Sequence, residues 1–281
     1  MPRRLYSCTP SRLLTWADCP RRYRFTYVDR PRPSKGPPWA HTSLGAAVHL
    51  ALAAWWRLPV GERTMRRGGE LLVSSWSSEG FRDEEQSASW RVRSREMVER
   101  YVAGLDPHDE PVGVERTVGV RTETLAFSGR IDRLDRRVGE SGDELVVVDY
   151  KTGRRIPDAT EARGSLALAL YAAAAARVLR ARCVRVELHH LPTGTVAAHE
   201  HTRESLARQV RRAESLAAEA AAADAALATS DDADGLPDPA RLDAIFPPRP
   251  GALCGWCDYA RSCPEGAAAT PSREPWAGLG P

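Results

Sequence analysis

Apolar and polar positions change period several times along the chain, and the changes mark out the elements. Leu13, Leu14, Trp16, Tyr23 and Phe25 recur near helical spacing after Thr9-Pro10-Ser11, which supplies a capping hydroxyl and a proline suited to a first turn. A Pro-rich connector over 31–41 leads to a second helix after Thr42, running through Gly45, His49 and Leu52 to Trp56. Residues 58–69 break it. Another helix is predicted over about 84–104, with Trp90, Met97, Val98, Tyr101 and Val102 among its apolar positions. The period then shortens. Strands are predicted over 112–120, 123–135 and 144–151, the last carrying the β-branched run Val146-Val147-Val148 suited to a buried strand. An Ala/Leu-rich helix over 164–180 follows, then a hairpin of 184–191 and 195–201 around Pro192-Thr193-Gly194, then a long helix over 203–228. Residues 229–250 read as an acidic, then Pro-rich linker, and 266–281 as a disordered tail. The order is helices, a mostly antiparallel strand block, helix, hairpin and helix. That is a mixed α/β fold without internal repeats.

Composition narrows the class. The chain has 281 residues, 42% hydrophobic and 27% charged, with a net charge of +3. These values exclude collagen, wholesale disorder and a small disulfide knot. No apolar run approaches the ~18 residues of a membrane span, and the basic start lacks the apolar stretch of a secretory signal. A cytoplasmic protein with reduced thiols is the expectation. Lysine occurs only at positions 35 and 151, although Lys and Arg together number 40. A lysine here is therefore not an interchangeable cation. With so small a net charge, any nucleic-acid contact must come from local arginine clusters.

Asp149-Tyr150-Lys151 ends the Val-rich strand. Side chains alternate along a strand, so Asp149 and Lys151 share one face and Tyr150 points away. A carboxylate at that position can hold Mg²⁺ or Mn²⁺, while the ammonium positions water and offsets developing charge in phosphodiester hydrolysis. Asp132, in Gly129-Arg130-Ile131-Asp132-Arg133, offers a second carboxylate. An ordinary strand-end salt bridge is the competing reading. His49 lies among apolar neighbours; taken alone it reads as an interior hydrogen-bonded histidine, although neutral imidazole also suits Mn²⁺.

Cys254, Cys257 and Cys263 form a three-thiol cluster that needs a fourth ligand for zinc or for an iron–sulfur cluster. Cys183 opens an apolar strand and reads as a buried structural thiol. Cys19, before a proline and a run of arginines, is preferred to Cys8. Thiol count alone leaves zinc and iron–sulfur both open.

Together these segments resemble the iron–sulfur branch of the PD-(D/E)XK nucleases, which includes AddB-type nuclease domains and small CRISPR-associated exonucleases and is related to the RecB nuclease domain. Ser11 to Tyr23 is similar to the family's first helix with its isolated cysteine. Gly45-Ala46-Ala47-Val48-His49 resembles its Gly-x-x-x-His helix. Gly129 to Asp135 and Val148 to Gly153 resemble its two metal motifs, and Phe246 to Cys263 its closing segment. The resemblance covers about residues 7–265. It implies a restriction-endonuclease-like core, a mixed central sheet flanked by helices, with a helical N-terminal part and a C-terminal cluster segment, all in a single domain over 1–265. It implies that Asp132, Asp149, His49 and the Tyr150 carbonyl ligate the metal, that Lys151 is catalytic, and that Cys19, Cys254, Cys257 and Cys263 hold a [4Fe–4S] cluster. The expected activity is single-strand DNA exonuclease in repair or recombination, with a helicase or recombination partner and no membrane. One departure stands out. Ala167 occupies the slot four residues before Tyr171 where the family usually has Gln, which keeps open an attenuated or non-catalytic DNA-binding module. Candidate DNA contacts are Arg21, Arg22 and Arg24; Arg91, Arg93 and Arg95; Arg208, Arg211 and Arg212; and, for base stacking, Tyr23 and Trp39; Tyr171 is a further candidate substrate-binding residue.

Overall fold

The structure, a computed structural model, describes residues 5–139, 142–228 and 238–280. In chain order the elements are β1 (Tyr6–Cys8), α1 (Pro10–Asp18), α2 (Pro20–Tyr23), α3 (Ala40–Trp56), α4 (Met65–Ser74), α5 (Glu84–Ala103), β2 (Gly113–Arg121), β3 (Leu125–Gly139) and β4 (Gly142–Lys151). After these come α6 (Ala159–Gly164), α7 (Leu166–Leu179), β5 (Arg182–His190), β6 (Thr195–Glu200), α8 (Arg203–Ala228), α9 (Pro239–Ile245) and α10 (Pro264–Ala269). They group into two compact units. One contains the described residues up to 37, 120–128 and 207–273; the other contains 38–119, 129–206 and 274 onward.

The second unit is built on β4. Val146, Val147 and Val148 are all fully buried because both faces of this strand are covered. β4 runs antiparallel to β3 and parallel to β5, and β6 returns antiparallel to β5. A parallel neighbour requires a crossover, which α6 and α7 supply between β4 and β5. On one face Val146, Val148 and Tyr150 join a core with Leu52, Trp55 and Trp56 of α3 and Val98 of α5. On the other, α7 packs on β4 and β5. Helix ends follow local chemistry: Asp83 caps α5 through Gln86 N–H at 2.7 Å, and Asp158 caps α6 through Glu161 N–H at 2.8 Å.

In the first unit, β1 pairs in parallel with the first residues of β3, Tyr6 opposite Leu125. Trp16, Tyr23 and Phe246 pack with Ala220 and Ala223, and the Trp16 and Tyr23 rings meet edge-on at 5.3 Å. The Arg12 guanidinium lies 5.2 Å from the ring centres of Tyr6, Tyr23 and Tyr27 and pairs with Asp224 at 3.2 Å.

Several expectations change. The region read as a break over 58–69 contains the start of α4, where Gly68 and Gly69 are buried and α4 packs on α5. The sheet is mixed, as the resemblance implies: β3–β4 and β5–β6 are antiparallel, whereas β4–β5 and β1–β3 are parallel. The linker over 229–250 contains α9, whose cap Asp238 and first residue Pro239 start a helix inside an otherwise Pro-rich run; residues 229–237 lie outside the described residues. The tail is not disordered where it is described. The expected boundary at 265 falls inside α10, and Leu279 is buried in the core of the second unit.

Candidate active site and cysteine pocket

The β3–β4 ladder pairs Arg133 with Val148, so Asp132 and Asp149 are the next positions on each strand and project to the same side of the sheet. Asp132 is held by the chain itself: its Oδ2 accepts the Tyr150 N–H at 2.9 Å. Its Oδ1 lies 3.4 Å from His49 Nδ1. His49 is one turn after Gly45 on α3, where a Cβ on Gly45 would sit 3.4 Å from the Thr152 hydroxyl. Helix and post-strand loop therefore pass within van der Waals contact of that Cβ position, which leaves little room there for a side chain larger than a methyl group. Lys151 Nζ pairs with Asp149 Oδ2 at 2.7 Å.

Sequence reasoning missed one member of this group. Ligand atoms of His49, Glu115 and Asp132 all lie within 4.8 Å of one another, and this is the one such group of three among the described residues. Glu115 sits on β2 with φ of 50°, in the left-handed region that non-glycine residues rarely adopt, and its carboxylate also meets Arg130 Nε at 2.8 Å. An acidic residue in an amphipathic strand carries no signal of its own, so nothing in the sequence separated Glu115 from its neighbours. His49 is 31% exposed and Lys151 41%, so the site opens to solvent rather than lying in the interior.

The electrostatics follow from crowding. Burial disfavours charge on His49, but its hydrogen bond to Asp132, which accepts, and the charges of Asp132, Asp149 and Glu115 outweigh burial and raise its pKa. Burial and the Asp132 charge raise the Asp149 pKa against the pull of Lys151. Burial opposes charge on Lys151, and Asp149 overcomes it, so the pKa of the ammonium is raised. Tyr171, half-buried on α7, bonds to the Arg130 backbone; burial, then the Asp149 and Asp132 charges, push its hydroxyl up to about 12. Ala167 occupies the first turn of the same helix.

A buried polar network lies behind the site. Tyr150 turns its ring inward, edge-on to His49 at 5.7 Å. The Arg133 guanidinium lies 5.2 Å from the Trp56 ring centre and 5.9 Å from that of Tyr150, and bonds to Asp135 at 3.0 Å. Glu187, 2% exposed, accepts from Arg137 and Arg185 at 2.7 Å each and from His189 Nε2 at 2.9 Å. His190 fixes the loop after Lys151 through a 2.7 Å bond from Nε2 to the Gly153 carbonyl.

Cys19, Cys254, Cys257 and Cys263 line one cavity of about 270 Å³ in the first unit. Backbone N–H groups of Arg249 and Gly251 point at the Cys19 and Cys254 sulfurs, each at 3.4 Å. A Cβ on Gly266 would lie 3.3 Å from the Cys263 sulfur and 3.4 Å from that of Cys254, so this wall is cut back where the sulfurs converge. No three cysteine sulfurs among the described residues lie within 4.8 Å of one another. Cys183 and Cys8 are both buried elsewhere, on β5 and β1.

Three proposed DNA contacts are corrected by this geometry. Arg21 is 5% exposed and pairs with Glu265 and with Asp243 at 2.9 Å, so it braces the cysteine pocket from inside. Tyr23 is fully buried and cannot stack a base. Arg24 is enclosed between Asp29 and Asp243. Arg22 remains partly exposed, 3.8 Å from Asp18. Trp39 and Arg91 are half-buried, whereas Arg93, Arg95, Arg208, Arg211 and Arg212 are exposed.

A mixed sheet between helices, presenting Asp132 from the middle of β3 beside Asp149 and Lys151 at the end of β4, defines a restriction-endonuclease-like α/β core. The sequence model of the PD-(D/E)XK nuclease superfamily matches residues 7–264, nearly the whole chain, and the chain belongs to that superfamily. No curated protein matches the chain. Among solved structures, it is similar to a Eubacterium rectale protein provisionally described as an exonuclease. The identity is 10% and the TM-score 0.46, over 74% of this chain and 77% of that one. The protein is thus a nuclease by family, with a candidate divalent-metal site of histidine and carboxylates.

Proposed function

We propose that the protein is an Mg²⁺- or Mn²⁺-dependent deoxyribonuclease, a single-strand exonuclease of the iron–sulfur RecB/AddB-like branch acting in DNA repair or recombination. The observation that carries this reading is the convergence of His49, Glu115 and Asp132 beside the Asp149–Lys151 pair. An imidazole with two carboxylates is a donor set suited to Mn²⁺ or Mg²⁺. His49, Glu115 and Asp132 would hold the ion, with Asp149 and the Tyr150 carbonyl as further ligands. When bound, the ion supplies Lewis acidity toward water and a phosphate oxygen.

The chain's own groups do the rest. The Tyr150 N–H fixes Asp132 Oδ2, which leaves Oδ1 directed at His49. Lys151, anchored by Asp149 yet partly exposed, orients the attacking water and offers positive charge where the phosphate accumulates negative charge. Tyr171, on the helix facing this carboxylate pair, offers a hydroxyl to the incoming strand.

For the cysteine pocket the same reading is a [4Fe–4S] cluster on Cys19, Cys254, Cys257 and Cys263. Four zinc-bound thiolates at about 2.3 Å would place their sulfurs about 3.8 Å apart. The wider spread of these sulfurs, the cavity between them and the N–H groups aimed at them favour the larger group. Zinc in the purified protein would overturn this part. The proposal places the protein in the cytoplasm; among the described residues no helix is long and apolar enough to cross a membrane.

The test is degradation of single-stranded DNA with Mg²⁺ or Mn²⁺, abolished by EDTA and by Lys151→Ala. Equal cleavage by the wild type and by Lys151→Ala would overturn it. Ala167 favours a second reading, a DNA-binding, helicase-associated module of low or no turnover. DNA binding without metal-dependent cleavage in the same assay would select it.

A further inference from the structure

We propose that the groove between α5 and the C-terminal segment is a base-stacking subsite for single-stranded DNA, separate from the metal centre. It rests on the nuclease reading for its ligand. The groove has a volume of about 500 Å³, within the range of binding clefts, and lies wholly in the second unit. Trp90 and Trp276 both line it, with Gln86 and Arg93 from α5, Arg82 just before that helix and Gly280 from the C-terminal segment; Glu85 adds one carboxylate against the two guanidinium groups, so the lining stays net positive. Both indoles are half-buried, so each is fixed by core packing yet keeps surface toward the groove.

The wall made by the C-terminal segment is anchored. The Pro275 carbonyl accepts the Ala40 N–H at 3.1 Å, and Leu279 is buried in the core. Arg93 is exposed and stacks on the Trp90 ring at 5.1 Å. Gln86 spends its side-chain oxygen on the Arg82 N–H at 2.9 Å, which directs its amide donors away from that bond.

Indoles and guanidinium planes present flat π surfaces, and arginine adds positive charge. A ligand that offers a flat face beside an anionic group satisfies both, and a nucleotide in a single strand does so. In duplex DNA the base faces are already stacked on each other, so the groove selects single strands. Its position fits a strand already engaged by the enzyme. Gly280, at one end of the groove, lies against the Arg154 guanidinium, and Arg154 is three residues beyond Lys151. The subsite therefore continues from the loop that leaves the catalytic strand.

The experiment measures binding of a fluorescein-labelled oligothymidylate in EDTA, which separates affinity from cleavage. Trp90→Ala and Trp276→Ala should each weaken binding about tenfold, the scale of one lost base stack. Because Trp90 also touches the core, the exposed Arg93→Glu serves as a second variant and should weaken binding at least as much. Arg100→Glu, an equal charge change on an exposed position of the same helix outside the groove, should stay within about twofold. An oligonucleotide carrying 5-iodouracil should photocrosslink to Trp90 or Trp276. Wild-type affinity in all three groove variants, no measurable oligothymidylate binding by the wild type, or crosslinks only elsewhere would overturn the subsite. Cleavage of the same oligonucleotide by the wild type with Mn²⁺ judges the nuclease reading separately. Cleavage with unaltered binding in the variants sinks only the groove; weakened binding in the variants without cleavage sinks only the nuclease.

Discussion

Glu115 and Lys151 sit in the same cluster, yet their removal should act on different measurements. Glu115 contributes a carboxylate within 4.8 Å of His49 and Asp132, so its work is to hold the ion. Glu115→Gln should weaken Mn²⁺ binding, read by calorimetry, by about 10–100-fold or more, the lower figures being typical of lost supporting partners around a metal. Lys151 is a cation whose pairing is to Asp149. Lys151→Ala should lower the cleavage rate by about 10²–10⁴-fold, the range for loss of a positioned acid–base group, while Mn²⁺ still binds. A Lys151→Ala protein that loses the metal but keeps single-turnover cleavage would reverse the two roles. Ala167 poses the complementary case of a polar group that is missing. It lies one turn before Tyr171 on α7, and Tyr171 feels the Asp149 and Asp132 charges. Ala167→Gln should therefore raise cleavage rate or DNA affinity; a folded variant with neither gain would mean that this site is organised without the amide.

At the scale of elements, the Glu187 network on β5 is where charge is most deeply committed. Glu187 takes bonds from Arg137, Arg185 and His189 with only 2% exposure. Burial alone would raise its pKa, but the His189 hydrogen bond and the two arginines outweigh burial and hold the carboxyl well below the usual range. A depressed folded pKa means stability that is fully present above the unfolded value of about 4.3 and is lost as pH falls below it toward the folded value. Glu187→Gln should cost about 2–3 kcal/mol by urea unfolding near pH 7. That is less than a fully buried pair would lose, because both arginines reach solvent. The gap between wild type and variant should shrink below about pH 4; a gap that widens there would exclude the charge as its source. Nothing in Val186-Glu187-Leu188 announced this network, since Arg137 comes from β3 and Arg185 and His189 from β5, and they meet through sheet register. The strands themselves were legible because Val146–Val148 can only be a buried run, and α5 because its apolar residues keep helical spacing. Helix α4 was not, because Gly68-Gly69 reads as a break until a neighbouring helix packs over it. Glycine lowers intrinsic helix propensity, and tertiary contact overrides that preference.

At the scale of the whole chain, the cysteine pocket gathers segments from opposite ends of the sequence. Cys19 ends α1 while Cys254, Cys257 and Cys263 follow α9, so a cluster on all four would close a loop of roughly 235 residues. Chain-entropy arguments for such a closure give about 5 kcal/mol, an upper figure because a compact unfolded state has less freedom to lose. Net stabilities of domains are about 5–15 kcal/mol, so this one tie is comparable to the whole. The pocket has other supports: Arg21 bridges to Glu265 and Asp243, and Trp16, Tyr23 and Phe246 pack in the same unit. Cys19→Ser should therefore yield a colourless, strongly destabilised protein whose nuclease activity falls with its folded fraction rather than through the chemistry. Cys8→Ser and Cys183→Ser, at buried strand positions outside the pocket, should keep the broad absorbance of thiolate-bound iron and lose at most packing energy. Gly266→Ala separates ligation from the tie, because it keeps every thiol and crowds the Cys254 and Cys263 sulfurs. It should lower iron content per chain and thermal stability together. A Gly266→Ala protein with full iron content, or a colourless Cys8→Ser protein beside a brown Cys19→Ser protein, would place the cluster on a different set of ligands.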